Sequence, residues 1–143
     1  MPKEGKELDI VDPFTHSIQW SRRFTGLKLF MAMMIYSWEG YDKVITGQLE
    51  TGVMLRNKLI AAGWKIYNST KLPLVNFGLA GLENNPEKIT RFCRKVTDSG
   101  KVWISVYKAG EINTLRACIT NYNTTEKDLD ILIGALGEAG GSS

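Results

Sequence analysis

The sequence predicts an α+β domain: a small, mostly antiparallel sheet with helices packed on one face, in the order ααββαββα. Three observations carry this. Stretches with apolar residues at helical spacing are interspersed with short runs of period two. Two of the period-two runs are joined through Ala109-Gly110, as in a hairpin. Two helices announce their starts, one by Asn85-Pro86, an N-cap followed by proline at the first helical position, the other by Thr125-Glu126-Lys127-Asp128, a capping-box pattern.

Residues 1–21 are rich in charge, Pro, Thr and Ser without a sustained period, so they form an extended lead-in that needs a surface to lie against. From Arg22 to Ser37 the chain is apolar nearly all round, with Phe24, Leu27, Leu29, Phe30, Met31, Met33, Met34 and Ile35, the pattern of a helix buried on several sides. A chain of 143 residues has little protein with which to surround such a helix, which implies a larger assembly. After Glu39-Gly40 an amphipathic helix follows, with a stripe through Val44, Leu49, Gly52, Leu55 and Leu59 and a stop at Gly63.

Trp64 to Tyr67 alternates as a first strand, and Val75, Phe77 and Leu79 recur at period two as a second, with a polar turn over 68–71 between them. Ile89, Phe92, Cys93 and Val96 mark one face of the next helix, which ends before Gly100. In the hairpin, Val102, Ile104 and Val106 alternate with Trp103, Ser105 and Tyr107, and Leu115, Ala117 and Ile119 alternate with Arg116, Cys118 and Thr120. The last helix has its stripe at Leu129, Leu132, Ile133 and Leu136. The domain thus runs over residues 22–139, with 140–143 as a flexible tail.

Apolar residues make up 43% and charged residues 23%, ordinary globular usage that argues against disorder and fibres. The net charge of +3 is mild, and the tight basic pairs Arg22-Arg23 and Arg94-Lys95 are too few to track a polyanion, so no nucleic acid is expected as a partner. No signal-peptide core opens the chain, and the most apolar run, Leu27 to Tyr36, is about half of what a membrane span requires, so no membrane partner is expected either. Cys93 and Cys118 have apolar neighbours and no metal-ligand spacing; both are expected as buried reduced thiols, in a cytoplasmic protein.

Candidate chemistry is sparse. The sequence has one histidine, His16, so a nucleophile-histidine machine would have to be built in the lead-in. Glu83, Glu87 and Asp98, like Glu126, Asp128 and Asp130, sit at helix starts or on exposed faces, where dipole and solvation account for them. Gly78 and Gly81 lead into Leu82-Glu83 and form no phosphate loop. A self-contained active site is therefore not expected. The unusual segment is Gln19-Trp20-Ser21-Arg22-Arg23-Phe24, because arginines at a helix amino terminus oppose its dipole unless they meet an anion. They serve either an interdomain salt bridge or the wall of a substrate or cofactor site. Arg116, outward from a strand whose other face is apolar, is open to the same two kinds of reading.

At these residues the sequence resembles the group II pyridoxal-phosphate decarboxylases, the family of aromatic-amino-acid, tyrosine, histidine and glutamate decarboxylases. The run His16-Ser17-Ile18-Gln19-Trp20-Ser21-Arg22-Arg23-Phe24, followed by Gly26-Leu27-Lys28-Leu29-Phe30, is similar to the family segment in which a Ser/Gly-Arg-Arg-Phe motif enters a helix. Glu39-Gly40-Tyr41, the long helix after it and Leu115-Arg116-Ala117-Cys118-Ile119-Thr120-Asn121 fall in the family's order, so the resemblance covers about Asp12 to Ala139.

The resemblance implies the carboxy-terminal small domain of a fold-type I enzyme, beside a large upstream domain that holds the cofactor. The family's cofactor lysine lies in an Asp-x-x-His-Lys context, which no lysine of this chain has, Lys28 included. Pyridoxal phosphate is thus expected in the complete enzyme and none on this chain alone, which should not catalyse by itself. Ser21 matches the Ser/Gly position that lines the substrate pocket in aromatic and histidine decarboxylases, with Trp20 and Arg22 as neighbours of that pocket. Arg116 matches the strand arginine that lies near the substrate carboxylate in glutamate-type members. The implied partners are the upstream domain, a second copy in a homo-oligomer and a small amino-acid substrate. The competing expectation is a stand-alone interaction or regulatory module that keeps the small-domain fold without chemistry.

Overall fold

The structure, a computed structural model, describes residues 24–141. The chain divides after Ser37 into two units, residues 1–37 and 38–143. One helical run, α1 (Thr25–Ala61), is broken at Ser37, where φ 57° and ψ 178° leave helical space. Two helical segments follow one another here as expected, but the break does not fall at Glu39-Gly40. Gly40 has the conformational freedom for it and stays helical, so local propensity does not place the break. A serine in this nearly glycine-only region costs about 1–3 kcal/mol.

The segment before the break is apolar all round and uncovered: Phe24, Leu29, Phe30, Met31, Met34 and Ile35 are 53–75% exposed. The burial expected on several sides is not seen among the described residues, whose buried core runs from Leu55 to Ala139.

In the second unit, α1 ends in a Schellman motif. Gly63 takes φ 84°, its N–H reaches the Ile60 carbonyl at 3.0 Å, and the Trp64 N–H reaches that of Leu59 at 2.9 Å. The turn delivers β1 (Lys65–Ile66), which pairs with β2 (Leu74–Gly78). Asn85 caps α2 (Pro86–Thr97): its Oδ1 accepts from the Lys88 N–H at 2.9 Å, and Pro86 opens the helix, as the sequence signals. β3 (Ser105–Ala109) and β4 (Ile112–Cys118) form the hairpin, closed through Gly110 at φ 62°. α3 (Glu126–Gly140) starts with Asp128 Oδ2 accepting from the Thr125 N–H at 2.7 Å and from its hydroxyl at 2.8 Å. It runs through Gly140, one residue into the expected tail.

The sheet is wholly antiparallel, in the order β1-β2-β4-β3. Val75 and Phe77 pair with Ala117 and Leu115, and these four meet Leu55 and Leu59 of α1, Ile89, Cys93 and Val96 of α2, and Leu129, Leu132 and Leu136 of α3 in one core. All three helices thus contribute to the core on one face, as the patterning predicts. Trp64 anchors it, edge-on to Phe77 at 5.3 Å and tilted against Phe92 at 5.8 Å. Lys58 fastens α1 to α3, 2.9 Å from Glu126 and 2.6 Å from Asp130, and both carboxylates raise its pKa.

Two further expectations need correction. β3 begins at Ser105, not Val102, because its ladder starts where Ser105 faces Arg116. Ile104 is still buried, whereas Val106, on the edge strand, is open to solvent. Cys93 is a buried thiol with its pKa raised by desolvation, but Cys118 is exposed. Its place in β4 shares the parity of Arg116, so it points away from the core despite its apolar neighbours.

Candidate functional site

The face of the sheet opposite the core is where polar residues gather. Strand parity decides this: with Val75, Phe77, Leu115 and Ala117 committed to the core, Asn76, Thr114 and Arg116 must point the other way. Asn76 pairs directly with Arg116, and Ser105 faces Arg116 from the other side. Tyr107, two residues on from Ser105, lies diagonally across from Arg116 on the same face.

The side chains use this placement. Arg116 Nε donates to Asn76 Oδ1 at 3.1 Å, and the guanidinium carbon lies 3.3 Å from the centre of the Tyr107 ring. Thr114, fully buried, donates its hydroxyl to the Tyr107 carbonyl at 2.8 Å. Asn76 is 6% exposed, and its N–H is taken by Asn68 Oδ1 at 2.9 Å. Asn68 and its turn are clamped from α1 by Arg56, which donates to the carbonyls of Asn68, Thr70 and Leu74 at 2.7, 2.8 and 2.9 Å. At the edge, the Tyr67 hydroxyl donates to Glu83, and Lys65 Nζ lies 5.1 Å from the Tyr67 ring centre.

The resulting arrangement is an arginine held on one edge and one face. Among the described residues no carboxylate forms an ion pair with Arg116, and its Nη1 and Nη2 have no hydrogen-bond partner. A guanidinium so placed can give two parallel hydrogen bonds to an incoming carboxylate. Of the four pocket residues predicted from the sequence, Arg116 is therefore placed on this face; Trp20, Ser21 and Arg22 lie outside the described residues. The sequence reading missed Asn76, Tyr107, Asn68 and Arg56. Parity alone could have put Asn76 and Tyr107 on the face of Arg116, whereas nothing local signals that Arg56 reaches across to the turn.

The described lysines do not suit the covalent attachment of pyridoxal phosphate. An imine-forming lysine needs a neutral amine, favoured by burial or nearby positive charge. Every described lysine but Lys58 is exposed, and the carboxylates beside Lys58 raise its pKa, the opposite shift. Among the described residues no three His, Cys, Asp or Glu side chains come together as metal ligands, and no helix is long and apolar enough to cross a membrane. A groove of about 440 Å³ between α2 and the end of α3 has Leu82 and Phe92 with Lys88, Arg91 and Lys95 in its lining, and no hydroxyl, thiol or carboxylate side chain.

No protein-family model matches the sequence. By fold, the chain is similar to Rhodiola rosea 4-hydroxyphenylacetaldehyde synthase, at 26% identity and a TM-score of 0.74, over 87% of this chain and 28% of that one. It is also similar to Catharanthus roseus tryptophan decarboxylase in complex with L-tryptophan (18% identity, TM-score 0.71, 82% of this chain and 26% of that one). Lactobacillus brevis glutamate decarboxylase matches at 13% identity and a TM-score of 0.67, over 79% of this chain and 26% of that one. The chain spans just over a quarter of the length of each of these proteins. The fold thus agrees with the resemblance to group II pyridoxal-phosphate decarboxylases seen in the sequence.

Proposed function

We propose that this chain is the carboxy-terminal small domain of a pyridoxal-phosphate-dependent amino-acid decarboxylase, completing the substrate pocket and the subunit packing while an upstream large domain holds the cofactor. The observation that carries the reading is the extent of the match: most of this chain shares its fold with just over a quarter of proteins that include tryptophan and glutamate decarboxylases. Bound to that upstream domain, the cofactor supplies an electron sink for decarboxylation. The residues of this chain bind and orient. Arg116 offers the N–H groups of Nη1 and Nη2 to an anionic group of the substrate, and Trp20 and Ser21 of the lead-in, with Arg22 after them, complete the wall. The uncovered apolar helix before Ser37 supports a partner surface, from the upstream domain and a second copy in a homo-oligomer. Since the structural relatives include tryptophan and glutamate enzymes, the substrate class is an amino acid without further distinction.

The test is to titrate the purified chain with pyridoxal phosphate, follow the visible absorbance of the cofactor, reduce with borohydride and map any adduct by mass. No stoichiometric lysine adduct, with decarboxylation appearing once the chain is joined to the upstream domain, is the expected result. One stoichiometric lysine adduct would overturn the division of labour. Continued inactivity of the joined protein would favour the stand-alone module.

A further inference from the structure

We infer that Tyr107 and Asn76 are positioning residues that fix the guanidinium of Arg116 for an anionic group, an inference that rests on the reading of Arg116 as part of the substrate pocket. A free arginine side chain samples many rotamers, and ordering it on binding weakens the complex. Here the ordering is already done. Asn76 takes the Nε–H at 3.1 Å, and Tyr107 lies under the guanidinium at 3.3 Å, so one edge and one face are engaged while Nη1 and Nη2 keep their donors. The distance to the ring is that of face-to-face stacking, in which the guanidinium plane follows the ring plane.

The two supports are themselves held. The backbone of Asn76 is tied to Asn68 at 2.9 Å, and Asn68 in turn to Arg56. The backbone of Tyr107 is tied to the fully buried Thr114 at 2.8 Å. The three residues come from β2, β3 and β4, so the support exists only when the sheet is assembled. An aromatic face suffices for the stacking; the hydroxyl of Tyr107 has no part in it.

The experiment is steady-state kinetics on the complete enzyme, this chain joined to its cofactor-binding domain, with thermal melting to establish folding. The variants are Arg116→Ala, Tyr107→Phe, Tyr107→Leu and Asn76→Ser. Arg116→Ala should raise KM by about tenfold or more, as expected for the loss of a charged hydrogen-bonding partner. Tyr107→Leu and Asn76→Ser should each raise KM by about threefold to tenfold with kcat within about twofold, and Tyr107→Phe should match the wild type. If Arg116→Ala is impaired while Tyr107→Leu and Asn76→Ser are not, the positioning role is wrong and the pocket reading stands. If Arg116→Ala is unimpaired, the pocket reading itself fails. Loss of activity in Tyr107→Phe equal to that in Tyr107→Leu would assign the effect to the hydroxyl and overturn the stacking role. Should Tyr107→Leu fail to fold, Asn76→Ser decides by the same KM criterion.

Discussion

Asp128 accepts both the backbone N–H and the hydroxyl of Thr125, and these bonds hold its carboxyl below the usual carboxylate range. Stability from a lowered carboxyl is fully present above the unfolded value of about 4 and is lost as pH falls through the lower folded value. Melting curves of wild type and Asp128→Asn between about pH 2 and pH 7 should therefore differ near neutrality and converge in acid; a constant gap at every pH would count against this cause. Gly52 is constrained differently. A Cβ there would lie 2.9 Å from the Pro73 Cα, so backbone would have to yield. Overpacking costs about 1–3 kcal/mol against about 1 kcal/mol gained in helix propensity, so Gly52→Ala should be destabilising and Gly52→Val more so. Urea unfolding reads this, and an unchanged or raised midpoint for both variants would show that the Pro73 segment gives way. At this scale Arg116 was legible from its strand parity, whereas Cys118 was misread because apolar neighbours in sequence are not neighbours in space.

Among the elements, the ones with chemical punctuation were legible. Asn85-Pro86, Thr125 with Asp128, Gly63 and Gly110 each act through bonds or dihedrals local to the chain, and each has the geometry its residues predict. β3 carries no such marker at its start, and its first paired residue is set by its partner strand. The break in α1 is likewise unmarked, falling on Ser37 with Gly40 close by. The segment before it is the most exposed apolar stretch of the described chain. The isolated chain should bind anilinonaphthalene sulfonate there, and a Phe30→Glu, Met34→Glu double variant should lose most of the fluorescence while keeping its melting temperature. Undiminished fluorescence in that variant would place the dye elsewhere.

For the molecule as a whole, the placement of Arg116 beside Asn76 depends on strand order. Asn76 and Arg116 are 40 residues apart in sequence, and they meet because β4 inserts between β2 and β3 in the sheet. The sequence by itself determined the fold class, the one-sided placement of the helices, most caps and turns, the outward parity of Arg116 and the resemblance to the decarboxylases. These follow from periodicity and local chemistry, which act over a few residues. Only the tertiary structure decided which strands are neighbours, that Tyr107 stacks on Arg116 while Asn76 holds it, that Arg56 clamps the turn beneath them, and that the apolar side chains before Ser37 are exposed among the described residues. Those are contacts between distant parts of the chain, chosen by how one common core can be packed, and no short stretch of sequence specifies them.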